Sequence, residues 1–295
     1  MFFLAELCLP IIIRCFLKII EMENTMSAPI DHTLEENRDY LYQIVKLKLF
    51  FLHNWLKKHP EETFKSVLRR RVDIYRKCDE NPGTLNPVDL HFDEAPWLKL
   101  ENAAEAIYND CKDDCAAFEE QAFQVFKPSL DARCERDYLD DSVQKAYMAG
   151  GCGSLKHEDR ISDPENKTVT FHIANMVSPK SIFTDKDYLP HCFMTMLDAV
   201  EQKLGAKQIR TSTWLNQNPK WLTLFPQEWF DNMQPPNEDV MWHYGFWGQF
   251  ISARHTFNAK YAAILRQTGR LPFYPRASIC TIAAMRAKIK EILQG

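Results

Sequence analysis

Apolar residues recur at three- and four-residue intervals from Leu34 through Leu41, Ile44, Val45, Leu49, Leu52 and Leu56, which predicts an amphipathic helix over 33–58. Pro60, followed by Glu61 and Glu62, predicts the first turn of a second helix running to about Cys78. Pro82, Pro87 and Pro96 make 79–96 an irregular connection. Helical spacing returns over 97–126, where Pro128 is expected to end it, and again over 129–148. The cluster Gly150-Gly151-Cys152-Gly153 is the clearest break in the chain. Beyond it the period falls to two. Thr168–Ile173 alternates and is β-branched, and Ile209–Trp214 repeats the pattern, so both read as strands. Between them 187–204 reads as a helix stopped by Gly205. Val240–Phe250 reads as a third strand or extended segment, with helices over 219–225, 257–267 and 278–293. The pattern predicts an α+β fold: a helical N-terminal half packed on a small mixed β-sheet, with a βαβ element in the C-terminal half. The expected organisation is a leader over 1–31, a helical region over 32–149 and an α/β region over 154–295.

Composition narrows the function classes. Only 9 of 295 residues are glycine, and neither a Gly-rich phosphate loop nor a dinucleotide fingerprint occurs. The net charge of −4 excludes a globally basic nucleic-acid binder and gives no reason to expect a DNA partner. The 9 cysteines are odd in number and lack a CxxC pair, which reads as reduced thiols in a cytoplasmic protein. The apolar start of the chain is interrupted by Glu6, Pro10, Arg14 and Lys18, too often for a spanning helix. Our reading is an upstream extension ahead of Met22 or Met26, with a membrane-associated leader as the rival. No metal site is expected, because HExxH and similar ligand spacings are absent.

Four groups of residues could carry chemistry. In the first, the strand Thr168–Ile173 runs into Asn175, Ser178 and Pro179 before a helix, and ligands of α/β sheets bind beyond the carboxyl ends of strands. Ser178 is the candidate nucleophile, His172 a proton carrier and Asn175 a substrate contact. The second group is Asn218 with the aromatics that follow it. The third is Trp242-His243-Tyr244-Gly245-Phe246-Trp247, with Arg254 and His255 close behind. Here His243 and Tyr244 are candidate acid–base groups, and Trp247 and Arg254 candidate substrate contacts. The fourth is a cationic stretch with Lys65, Arg69, Arg70, Arg71 and Arg76, which could meet RNA phosphates. Asp113 and Asp114, opposite in sign, could grip a cation or a basic substrate.

Two resemblances follow from these residues. His172, Val177, Ser178, Pro179, Ser181 and Phe183 resemble the strand motif of cyclodipeptide synthases, with Met176 where that motif has glycine. The resemblance implies that Ser178 accepts an aminoacyl group delivered on tRNA. Asn218, Trp221, Leu224, Phe225, Trp229 and Phe230, preceded by a strand and the helix ending at Gly205, resemble the late motif of GNAT-type N-acyltransferases. That implies an acyl-CoA donor, with Asn218 and the aromatic Phe225 near the reacting centre. The segment Ser178–Tyr188, where such an enzyme keeps its phosphate loop, holds no glycine. The leading expectation is an amide-forming acyl or aminoacyl transferase of small-molecule biosynthesis, with no bound cofactor. Its partners would be a small-molecule or aminoacyl substrate and tRNA, with no membrane. The alternatives are an acyl-CoA-dependent N-acyltransferase and a non-catalytic binding protein.

Overall fold

The computed structural model describes residues 33–72, 74–81, 92–139, 151–242 and 245–295, so the leader over 1–31 and Gly150 lie outside the described residues. Helix α1 (Leu34–Lys58) starts at Thr33, whose hydroxyl accepts the Glu36 N–H while the Glu36 carboxylate accepts the Thr33 N–H. Its buried stripe, including Leu41, Ile44, Val45, Leu52 and Leu56, is the one the periodicity marks. The helix predicted from Pro60 is shorter than its pattern. It covers α2 (Phe64–Arg70), followed by a 3-10 turn at Tyr75–Lys77. The chain leaves α2 at Arg71, whose guanidinium turns inward onto Glu62 and Asp239.

Helices α3 (Ala95–Asp110) and α4 (Cys115–Leu139) correct the reading of this region twice. Pro96 opens α3 instead of belonging to the connection. Pro128 lies inside α4 and does not end it, because Phe123, Phe126, Leu130 and Cys134 on the same helix are all buried. Burying a large apolar side chain is worth roughly 1.5–3 kcal/mol, so several together outweigh a proline cost of about 3 kcal/mol. The break falls at 111–114 instead, where the Asp114 carboxylate caps α4 by accepting the Ala117 N–H at 2.9 Å. Asp114 is therefore a helix cap.

The second half holds β1 (Leu155–His157), β2 (Thr168–Ile173), α5 (Tyr188–Leu204) and β3 (Gln208–Thr213). It continues through α6 (Pro219–Leu222), α7 (Gln227–Asp231), α8 (Ala259–Thr268), β4 (Arg276–Thr281) and α9 (Ile282–Gln294). The sheet has the order β1-β2-β3-β4; only the central pair, β2 and β3, is parallel. This is an α+β fold with the predicted βαβ element at its centre. Gly205 ends α5 in a left-handed conformation, as its position predicts. One sheet face, with Leu155, Val169, Phe171, Ile209 and Cys280, is buried with residues of α5, α6, α7 and α9. The other face carries Lys156, Thr170, His172, Arg210 and Ser212, which are exposed or half-buried.

The described residues of 240–250 form no strand. Gly245 at φ 74 turns the chain into a 3-10 turn at Phe246–Phe250. Its aromatics Phe246, Trp247 and Phe250, with Ala262, Leu265 and Leu271, join the core of the N-terminal helices rather than that of the sheet. The helical half thus packs on the returning stretch 240–271. That stretch is tied down by buried Gln249, whose side-chain amide donates to the carbonyls of Phe246 and Phe273 and accepts the Phe273 N–H.

Two expectations follow. Gly153 has φ +65, and a Cβ there would lie 2.5 Å from the Cys192 sulfur, whereas Gly205 has φ +62 and open space around it. Urea unfolding should give Gly205→Ala a loss of roughly 1 kcal/mol and Gly153→Ala about 2–4 kcal/mol, with Cys192→Ala recovering part of the latter. Burial opposes ionisation of Glu62, but hydrogen bonds from Arg71 and Trp55 prevail and hold its carboxyl below the ordinary 4.5. A depressed carboxylate stabilises the fold above its unfolded-state pKa, and that contribution is lost as pH falls through the folded value. Thermal melts from about pH 6 to about pH 3 should therefore decline less steeply in Glu62→Gln than in the parent.

Candidate functional site

The parallel strands β2 and β3 share only three residue pairs, Thr168–Thr170 with Gln208–Arg210. Past those pairs Phe171–Ile173 bond to β1 and Thr211–Thr213 to β4, so the β2–β3 ladder stops short of both carboxyl ends. A crevice between the carboxyl ends of parallel strands is where open α/β sheets place ligands. The returning segment roofs it. The Asn175 side-chain NH2, just beyond β2, donates to the Lys180 carbonyl at 2.9 Å and to the Ala253 carbonyl at 3.0 Å. Trp214, the first residue after β3, has its indole nitrogen 3.6 Å from where a Cβ on Gly248 would sit. One roof therefore touches the exits of both strands.

The parts around the crevice are fixed from several sides. In the roof, Ser252 Oγ accepts the N–H groups of Arg254 and Thr256 at 3.1 and 3.2 Å. His255 is held there at φ 58, an uncommon backbone for a side chain with a Cβ. Trp247 turns away from the crevice, is buried in the helical core and donates its indole N–H to the Arg71 carbonyl at 3.0 Å. Below, Ser154 Oγ accepts the Met176 N–H at 3.1 Å and pairs with the Tyr188 hydroxyl at 3.0 Å. Burial pushes the Tyr188 phenol up, and the thiols of Cys152, Cys192 and Cys280 likewise, so these groups stay protonated at neutral pH. A buried thiol is a poor nucleophile.

Ser178 is half-buried, and its hydroxyl has no hydrogen-bond partner among the described residues. His172 does not meet it. It stands on the open sheet face with its Nε2 3.3 Å from Glu158, in a shallow depression of about 500 Å³ that also includes Lys156 and Arg160. Arg254 is exposed in the roof. His243 and Tyr244 lie outside the described residues. Asn218, half-buried, caps α6 by accepting the Lys220 N–H at 2.9 Å, and Phe225 is buried with its ring centroid 4.2 Å from that of Trp229. Trp214 and Ala253 were not singled out by sequence, because each enters through a contact between segments remote in the chain, and Lys180 because its contact is made by its backbone carbonyl.

The cationic stretch is largely consumed inside the fold. Arg69 grips fully buried Glu101 at 2.7 and 2.6 Å, and Arg71 lies 4.1 Å over the Trp55 ring between Glu62 and Asp239. Lys65 bonds Asn102 at 2.7 Å, and Arg76 lies 4.1 Å over Trp242. Arg70 is exposed, near the Met241 sulfur. Arg71 is almost wholly enclosed by these partners, and Arg69 turns its Nε and one Nη to Glu101. Among the described residues His59, Glu61 and Glu62 form one cluster of metal-ligand type, but both Glu62 oxygens accept from Arg71. A cation placed there would face that guanidinium.

No family model matches the chain, and no curated protein or solved structure matches it either. Among the described residues no helix is long and apolar enough to cross a membrane.

Asn175 clamps the loop after β2 to the roof. Asn175→Ala should cost about 1–2 kcal/mol and speed amide exchange in both 174–183 and 251–257. Faster exchange in only one of the two segments would show that the clamp does not couple them.

Proposed function

We propose that this protein is an amide-forming acyl transferase whose reacting centre is the roofed crevice at the carboxyl ends of β2 and β3. The observation that carries the reading is Ser178, a hydroxyl without a partner among the described residues, in the loop that follows a parallel strand. In the proposed cycle Ser178 Oγ attacks the acyl carbon of an activated ester or thioester. The Oγ proton passes to a base, and the donor leaves as its alcohol or thiol. An amine then attacks the seryl ester, forms the amide and releases the hydroxyl. His255 is the imidazole carried by the roof itself, and His172, paired with Glu158 elsewhere, is not used. The strand–helix–strand order supports a second reading, direct transfer from acyl-CoA without a seryl ester. The commitment of Arg69 and Arg71 to internal carboxylates removes the main support for a tRNA-borne donor.

Intact-mass spectrometry separates these readings. Incubation with a panel of acyl and aminoacyl thioesters should add one acyl mass, mapped to Ser178 and absent from Ser178→Ala. Amide product formed at an undiminished rate by Ser178→Ala would favour direct transfer. Neither adduct nor product with any donor would sink the acyl-transfer reading.

A further inference from the structure

The three segments that meet at the crevice share an unusual charge pattern. Residues 174–182, 214–218 and 246–257 contain no aspartate or glutamate, in a chain with 40 acidic residues. They do contain Lys180, Arg254 and His255. The nearer acceptors are already taken. The Asn175 side-chain oxygen accepts the Val177 N–H, and Ser252 Oγ accepts two N–H groups. Donors, by contrast, are left over. Among the described residues the Ser178 hydroxyl, the Trp214 indole N–H, the Lys180 ammonium and the Arg254 guanidinium have no hydrogen-bond or ion-pair partner.

The two cations belong to loops that are joined. The Lys180 and Ala253 carbonyls share one donor nitrogen on Asn175, at 2.9 and 3.0 Å, which brings Lys180 and the neighbour of Arg254 side by side. Carboxylates do occur in the same connection, Asp185 and Asp187, but they stand at its far end, in the turn before α5. An anion at that helix start would face both of them, whereas one at the roof would face no carboxylate of these three segments.

We propose that the crevice binds a substrate carrying a carboxylate or phosphate, and that Lys180 and Arg254 hold that anion while Trp214 donates to it. This rests on the acyl-transfer reading for its place in the cycle and names the substrate class of the same site: an acidic molecule, held at the roof and not at the start of α5. A guanidinium matches the paired oxygens of a carboxylate or phosphate, and the ammonium adds a point charge.

The test reads binding and needs no turnover. The indole N–H signals of the 7 tryptophans can be followed by NMR, with Trp214→Phe assigning the relevant one. Succinate serves as the carboxylate probe and adenosine 3′,5′-bisphosphate as the phosphate probe. At least one should shift the Trp214 signal saturably. The Lys180→Ala/Arg254→Ala variant should weaken that binding by at least about tenfold. Loss of two cations elsewhere, in Lys167→Ala/Lys207→Ala, should leave it unchanged. Saturation by one probe alone identifies the anion. No saturable shift with either probe, or equal binding by the double variant, would overturn the proposal. A protein that binds the probe but transfers no acyl group would keep this inference and lose the previous one.

Discussion

The Arg71 guanidinium is the tie on which the arrangement depends. Only 8% of its side chain is exposed. It stacks on Trp55 of α1, bonds Glu62 just before α2, and reaches Asp239 and the Val240 carbonyl in the returning segment. Its own carbonyl accepts the Trp247 indole N–H. A buried charge of this kind is costly to leave unpaired, so removing one partner typically costs about 3–5 kcal/mol. The consequence is geometric. The tie fixes where 240–250 enters the helical core, and hence where the next residues roof the sheet. The roof is therefore positioned by a buried guanidinium in the other half of the molecule.

The sheet supplies the complementary constraint. β1 pairs only with the carboxyl half of β2, whereas β4 pairs with β3 along its whole length. The three pairs shared by β2 and β3 hold the crevice at its base, and Asn175 closes it at the roof. Function at this site would depend on two cores that do not mix: the sheet core presents the strand ends and the helical core presents the roof.

Local signals made the centre of the fold legible. The alternation of Thr168–Ile173 and Ile209–Thr213, and Gly205 between them, marks β2, β3 and the end of α5. What was illegible depends on tertiary contact. β1 has three residues, too few for a period to register. β4 passes directly into α9 through Thr281, which caps that helix, so the strand and helix read as one helical run. Phe246, Trp247 and Phe250 look like strand aromatics until the helical core claims them. At the site, Asn175, Ser178 and Arg254 were readable as polar residues after a strand or beside glycine-marked aromatics. Lys180 and Trp214 gain meaning only from the roof above them. Arg69 and Arg71 looked like an RNA surface because their carboxylates, Glu101 and Asp239, lie far along the chain.

The return of 240–271 into the first half also bears on the order in which the molecule can be made. A ribosome delivers the four N-terminal helices long before Phe246, Trp247, Phe250, Leu265 and Leu271 emerge. Until then the apolar face that those residues cover has no partner of its own, and nascent chains with open hydrophobic faces are prone to association. The half that begins the sequence is thus completed only once 246–271 has emerged, and the roof of the crevice closes in the same event.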